Sequence, residues 1–171
     1  DSLQDYLAAH GITTTWETRE RVVVALTGAA GGDLLIRRAA RIAGRPVAAV
    51  LLETLQAHGT EVSFVDATAV TEVERAIRPD TRLVFVETIA NPRTQVADLA
   101  GIAEVCARHG LVYVVDNTMT SPWLFRPSTV GASLVVNALT KYIGGHGNAL
   151  GGSVTDTGLY DWTRYPAIHD T

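Results

Sequence analysis

The chain has 171 residues, 47% of them hydrophobic, and a formal net charge of −4. That is enough apolar material for one buried core, and an acidic balance without a basic stripe argues against nucleic acid. No apolar run reaches the length needed to cross a bilayer, and the opening Asp1-Ser2-Leu3-Gln4-Asp5 lacks the basic start and apolar stretch of a signal peptide, so a cytoplasmic protein without membrane contact is expected.

In chain order, residues 21–26 (Arg-Val-Val-Val-Ala-Leu) predict a strand, residues 28–32 a glycine-rich turn, and residues 33–44 a basic amphipathic helix, together one βα unit. The glycines fit neither the dinucleotide spacing nor the P-loop pattern, so a plain strand-to-helix turn is expected there. Arg45-Pro46 is the seam of the chain, separating a βα unit over 1–46 from the remainder over 47–171. Residues 51–58 read as a helix closed by Gly59, residues 61–65 as a strand, and residues 70–77 as a helix ended by Pro79. Residues 83–86 are a continuous apolar run ended by Glu87-Thr88, the mark of a strand buried on both faces. From 98 to 108 apolar residues recur at helical spacing (Leu99, Ile102, Ala103, Val105, Cys106), with His109-Gly110 as the stop. Residues 111–115 are a second buried strand ended by Asp116-Asn117, and residues 134–136 a third that runs into Thr140-Lys141. Strands alternating with helices over short turns predict an α/β fold, a mainly parallel sheet with flanking helices. Such sheets bind ligands beyond the carboxyl ends of their strands.

Asp116 closes one predicted strand and Lys141 follows another, which sets a carboxylate and an amine at the same edge of the sheet. Pyridoxal 5′-phosphate needs that pair: a lysine to condense with its aldehyde and an acid to keep its pyridine nitrogen protonated. Thr140 adds a hydroxyl, and Gly144, Gly145 and Gly147 would leave backbone amides open to a phosphate. By residue type alone, an Asp at a strand end also serves as a turn cap and a Lys as a solvated charge, and both readings stand at this point. The five histidines show no metal-ligand spacing, so no metal site is predicted. Cys106 lies in an apolar helical pattern and is expected to be a buried, inert thiol. Trp123, Tyr142, Tyr160 and Trp162 are expected to pack rather than to bind ligand.

Three stretches carry a resemblance: Val84-Phe85-Val86-Glu87-Thr88-Ile89-Ala90-Asn91-Pro92, Val114-Val115-Asp116-Asn117-Thr118, and Thr140-Lys141-Tyr142-Ile143-Gly144-Gly145-His146-Gly147-Asn148-Ala149-Leu150-Gly151-Gly152. In order and spacing they resemble the trans-sulfuration family of pyridoxal-phosphate enzymes, which includes cystathionine γ-synthase, methionine γ-lyase and O-acetylhomoserine sulfhydrylase. The resemblance runs over about residues 52–171. It implies part of the large domain of a fold-type I pyridoxal-phosphate transferase, in which Lys141 is the Schiff-base lysine, Asp116 pairs with the pyridine nitrogen, Thr140 contacts the phosphate, and Asn91 and Glu87 line the cofactor pocket. It implies γ-replacement or γ-elimination on cysteine- or homoserine-type amino acids, and a homo-oligomer, dimer or tetramer. Ala138 departs from it, standing where such enzymes usually carry a phosphate-binding serine. The family's N-terminal phosphate turn, ring-stacking tyrosine and Tyr-x-Arg pair have no match here, nor does its C-terminal arginine for the substrate carboxylate. Residues 16–28 and 35–43 instead resemble the universal-stress-like segment of potassium-sensing histidine kinases. The competing expectation is therefore a truncated or chimeric non-catalytic α/β module that retains the lysine motif.

Overall fold

The computed structural model describes residues 21–26 as backbone, together with residues 55–57, 59–90 and 94–165. The predicted turn at 28–32, the helix at 33–44, most of the helix at 51–58, and Asn91 lie outside the described residues. Among the described residues six strands form one sheet: β1 (Arg21–Leu26), β2 (Glu61–Asp66), β3 (Thr81–Glu87), β4 (Val112–Asp116), β5 (Leu134–Ala138) and β6 (Gly152–Asp156). Their spatial order is β2-β1-β3-β4-β5-β6, parallel throughout except for β6, which runs antiparallel to β5. β1, from the segment set apart in the sequence, hydrogen-bonds to β2 on one side and β3 on the other.

Alternation along each strand sorts the side chains onto two faces. On one face Val84, Val86, Tyr113, Val115 and Val135 pack with Val73 of α1 (Val70–Ala76) and with Ile102 and Cys106 of α2 (Leu99–His109). On the other, Phe85, Val112 and Val114 pack with Leu134, Val136 and Phe64 and with an aromatic group of Tyr160, Trp162 and Tyr165. The Tyr160 and Trp162 rings lie 4.9 Å apart by centroid. β4 has neighbours on both edges and both faces, and all five of its residues are buried, which is why its sequence reads as an unbroken apolar run.

Local chemistry sets the element ends. At the start of α2, Asp98 accepts a hydrogen bond from the Gly101 amide at 3.0 Å. At its end Gly110 adopts φ 65°, and the amides of Gly110 and Leu111 close back onto the carbonyls of Ala107 and Cys106. That closure uses the Leu111 amide, so β4 begins one residue later than predicted and takes in Asp116 at its far end. α1 stops at Ala76, Ile77 being already extended (φ −72°, ψ 133°), and Pro79 disfavours helical backbone at Arg78, the residue before it. β6 escaped prediction: it is a mostly exposed edge strand whose Gly-Ser-Val-Thr-Asp carries little apolar signal. Tyr160 and Trp162 pack on the sheet as expected. Trp123 and Tyr142 do not, being 93% and 62% exposed. The turn that opens α3 (Ser121–Leu124), with Ser121 at φ 58°, carries Trp123 and Leu124 away from the core. Among the described residues no helix is long and apolar enough to cross a membrane.

Candidate active site

The carboxyl ends of β3, β4 and β5 meet at one edge of the sheet. Glu87, the last residue of β3, lies opposite Asp116, the last of β4, and Asp116 in turn lies opposite Val136 of β5. Strand alternation sets Glu87, Asp116, Val136 and Ala138 on the face that holds Phe85 and Val114. Asp116 is only 7% exposed, an uncommon setting for a carboxylate, and among the described residues it has no basic partner. Its Oδ1 accepts the Thr118 amide at 2.9 Å, and among the described residues Oδ2 takes no hydrogen bond.

The edge around Asp116 is tied together by its neighbours. The Thr88 amide donates to the Asp116 carbonyl at 3.0 Å, and the Asn117 amide donates to the Val136 carbonyl at 2.8 Å, extending the ladder one residue past each strand end. The Asn117 side chain is fully buried; its Nδ2 donates to the Phe125 carbonyl and its Oδ1 accepts the Thr120 hydroxyl, which stands 3.3 Å from that of Thr88. The Thr118 hydroxyl accepts the Ala138 amide at 2.8 Å.

β5 passes directly into the lysine-bearing turn, Leu139–Ile143, a wide loop closed by the Gly144 amide on the Leu139 carbonyl at 2.7 Å. Lys141 breaks the helical run within it (φ −86°, ψ −114°), and its carbonyl takes the Gly145 amide at 2.7 Å. A side chain at Gly144 would bring its Cβ within 2.8 Å of the Leu139 carbonyl oxygen, so the closure requires glycine. On the β6 side, the Leu139 amide donates to the Gly151 carbonyl at 2.9 Å, and the Gly151 amide donates to the Thr140 hydroxyl at 3.2 Å. Lys141 is exposed and is the chain's single lysine among 14 basic residues.

Of the five residues singled out in the sequence, Glu87 and Asp116 are cross-strand neighbours, and Thr140 and Lys141 lie in the turn that follows β5. The fifth, Asn91, lies outside the described residues. Sequence reasoning missed Thr118, although Asp-Asn-Thr after a strand is the pattern of an aspartate side chain bonding the amide two residues on. The scarcity of lysine, one residue in 171, is a further signal that the sequence carries.

The donor set fits pyridoxal phosphate at two of its three ends. A buried carboxylate with an oxygen to spare suits a pyridinium N–H, and an accessible primary amine suits an aldehyde. At the phosphate end Thr140 would supply a hydroxyl, whereas the Ala138 methyl would supply no donor.

Residues 20–170 match the family model described as Cys/Met metabolism PLP-dependent enzyme, a match that takes in β1 and begins well before residue 52. A canavanine γ-lyase of Pseudomonas canavaninivorans is 48% identical over 100 residues, which cover 58% of this chain and 25% of that protein. In three dimensions the chain resembles an O-acetylhomoserine sulfhydrylase of Wolinella succinogenes, with a TM-score of 0.68 and 34% identity over 93% of this chain and 42% of that one. It also resembles a Campylobacter jejuni protein described as an O-acetylhomoserine (thiol)-lyase and carrying N′-pyridoxyl-lysine-5′-monophosphate, with a TM-score of 0.65 and 27% identity over 80% of this chain and 30% of that one. The chain spans about a quarter of the length of the first curated relatives it matches. The α/β sheet with its antiparallel last strand, the strand-end acid, the lysine turn and the family match agree: the chain belongs to the Cys/Met metabolism PLP-dependent enzyme family.

Proposed function

We propose that this chain carries the cofactor-holding core of a pyridoxal-phosphate enzyme that replaces or eliminates the γ substituent of cysteine- or homoserine-type amino acids. The reading is supported by a buried carboxylate, Asp116, that ends β4, and by the chain's single lysine, Lys141, in the turn that leaves the adjacent strand β5. When bound, pyridoxal phosphate supplies an electron sink for negative charge developing on a substrate carbon. Asp116 would keep a proton on the ring nitrogen. Lys141 would hold the cofactor through Nζ and, once a substrate amine displaces it, carry protons between substrate carbons. Thr140 would face the phosphate, while Asn91 and Glu87 would line the pocket. The names of the matched canavanine γ-lyase and O-acetylhomoserine enzymes support a substrate with a leaving group at the γ position.

The same proposal includes a cytoplasmic homo-oligomer, in keeping with a family of cysteine and methionine metabolism. It also includes a division near residue 46 between a βα unit and a partial large domain, supported by the change in sequence texture there. The test is an absorbance spectrum from about 300 to 500 nm after incubation with pyridoxal phosphate and dialysis, a window in which a lysine-linked pyridoxal absorbs and apoprotein does not. A retained band that disappears in Lys141→Ala is expected. A band that survives this substitution would contradict the assignment of Lys141.

A further inference from the structure

We infer that Thr118 is a positioning residue that sets Lys141 in register with Asp116, an inference that rests on the reading of those two residues given above. The β4–β5 ladder ends at Asp116 opposite Val136, with one further bond from the Asn117 amide to the Val136 carbonyl. Beyond that point β4 turns away and offers β5 no more backbone acceptors. The next inward-facing amide of β5, that of Ala138, is taken by the Thr118 hydroxyl at 2.8 Å, so a side chain replaces the backbone at the place where the ladder stops. The Thr118 amide meanwhile donates to Asp116 Oδ1 at 2.9 Å.

One half-buried residue thus holds the acid by its N–H and, by its hydroxyl, the backbone three residues before the lysine. On its other edge the lysine turn is held by Gly151 through Leu139 and Thr140. Without the Thr118 hydroxyl, the Ala138 amide loses its partner and the turn is anchored on the β6 side alone, while the Asp116 cap loses the contact that fixes Thr118 itself. The carboxylate and amine would remain present but less well aligned with a ligand that both must touch.

Thr118→Val preserves shape and removes the hydroxyl, and Thr118→Ser restores it. Three readouts are compared in wild type and both variants: hydrogen exchange at the Ala138 amide without cofactor, the dissociation constant for pyridoxal phosphate, and the pH midpoint of the Lys141-dependent absorbance band. In Thr118→Val, Ala138 exchange should be faster and cofactor binding roughly five- to tenfold weaker. The band midpoint should rise by about half a pH unit, because a poorly aligned Asp116 leaves less positive charge on the ring to lower the proton affinity of the conjugated lysine nitrogen. Thr118→Ser should restore all three. Should Thr118→Val misfold, Thr118→Ser still decides: a Ser variant that folds but shows fast Ala138 exchange and weak binding overturns the inference. Unchanged affinity and midpoint in a folded Thr118→Val overturn it while leaving the cofactor site standing. Absence of any band in the wild type overturns the cofactor reading, and this inference with it.

Discussion

At the scale of single residues the site depends on a few placements that sequence reading could reach and a few that it could not. Asp116 and Lys141 were legible because a polar residue ending a buried strand stands out against its apolar run, and both fell at the edge where parallel sheets bind ligands. Asp116's burial and the roles of Asn117 and Thr118 were not legible, since they depend on contacts with Val136, Phe125 and Ala138, residues 8 to 20 positions away. Ala138 was legible as a departure from the family, and the structure sets it on the same sheet face as Asp116. Adding the missing hydroxyl as Ala138→Ser is expected to tighten pyridoxal-phosphate binding about tenfold, the value of one hydrogen bond to a charged group. Titration of the 300–500 nm band with cofactor checks this, and unchanged affinity would mean that position 138 does not face the phosphate.

At the scale of elements, the sequence was most informative where burial is complete. β3, β4 and α2 lie close to their predicted bounds, because a strand covered on both faces and a helix with one apolar stripe leave strong periodic signatures. The shifts arose at ends, where single hydrogen bonds decide: the Leu111 amide is claimed by the end of α2, and Ile77 extends ahead of Pro79. β6 and the wide lysine turn were missed for the opposite reason. The strand is exposed, and the turn is closed by backbone hydrogen bonds from the Gly144 and Gly145 amides that leave no periodic residue pattern. The Asp98 cap gives an independent check on α2, whose Ile102 and Cys106 fill the core beneath β3 and β4. Asp98→Ala should lower stability by about 1 kcal/mol in a urea titration, with the slope of the transition unchanged. No loss would mean that the Gly101 amide finds another partner.

At the scale of the whole molecule, buried ionisable groups shape the response to pH. Burial pushes the Cys106 thiol from 9.0 up to about 12 and also raises the Tyr113 phenol, whose hydroxyl donates to the Leu99 carbonyl at 3.1 Å. Between those two values for Cys106, the folded chain keeps a proton that the unfolded chain releases, so raising the pH through that window favours unfolding. Urea midpoints should fall between about pH 8 and about pH 11, and the fall should be smaller in Cys106→Ala. An equal fall in the variant would shift the cause to Tyr113 or to other groups. On the acid side, the Arg108 guanidinium holds Glu74 below its ordinary value, the larger part through their hydrogen bond. That contribution is present above the ordinary carboxylate range and is lost as pH falls through the lowered value, and it is small because the pair is exposed.

Lys141 is exposed, and the apolar Leu124, Tyr142, Ile143 and Leu150 stand open in segments that follow β4 and β5, in a chain matching about a quarter of its curated relatives' length. In the proposed function everything depends on Lys141 holding the cofactor. The most direct measurement is to incubate the protein with pyridoxal phosphate, reduce with borohydride, and map the modified peptide by mass spectrometry. With a single lysine in the chain, one pyridoxyl group is expected on the peptide containing Thr140-Lys141-Tyr142 and none there in Lys141→Ala. An unmodified Lys141 peptide from cofactor-saturated protein would contradict it.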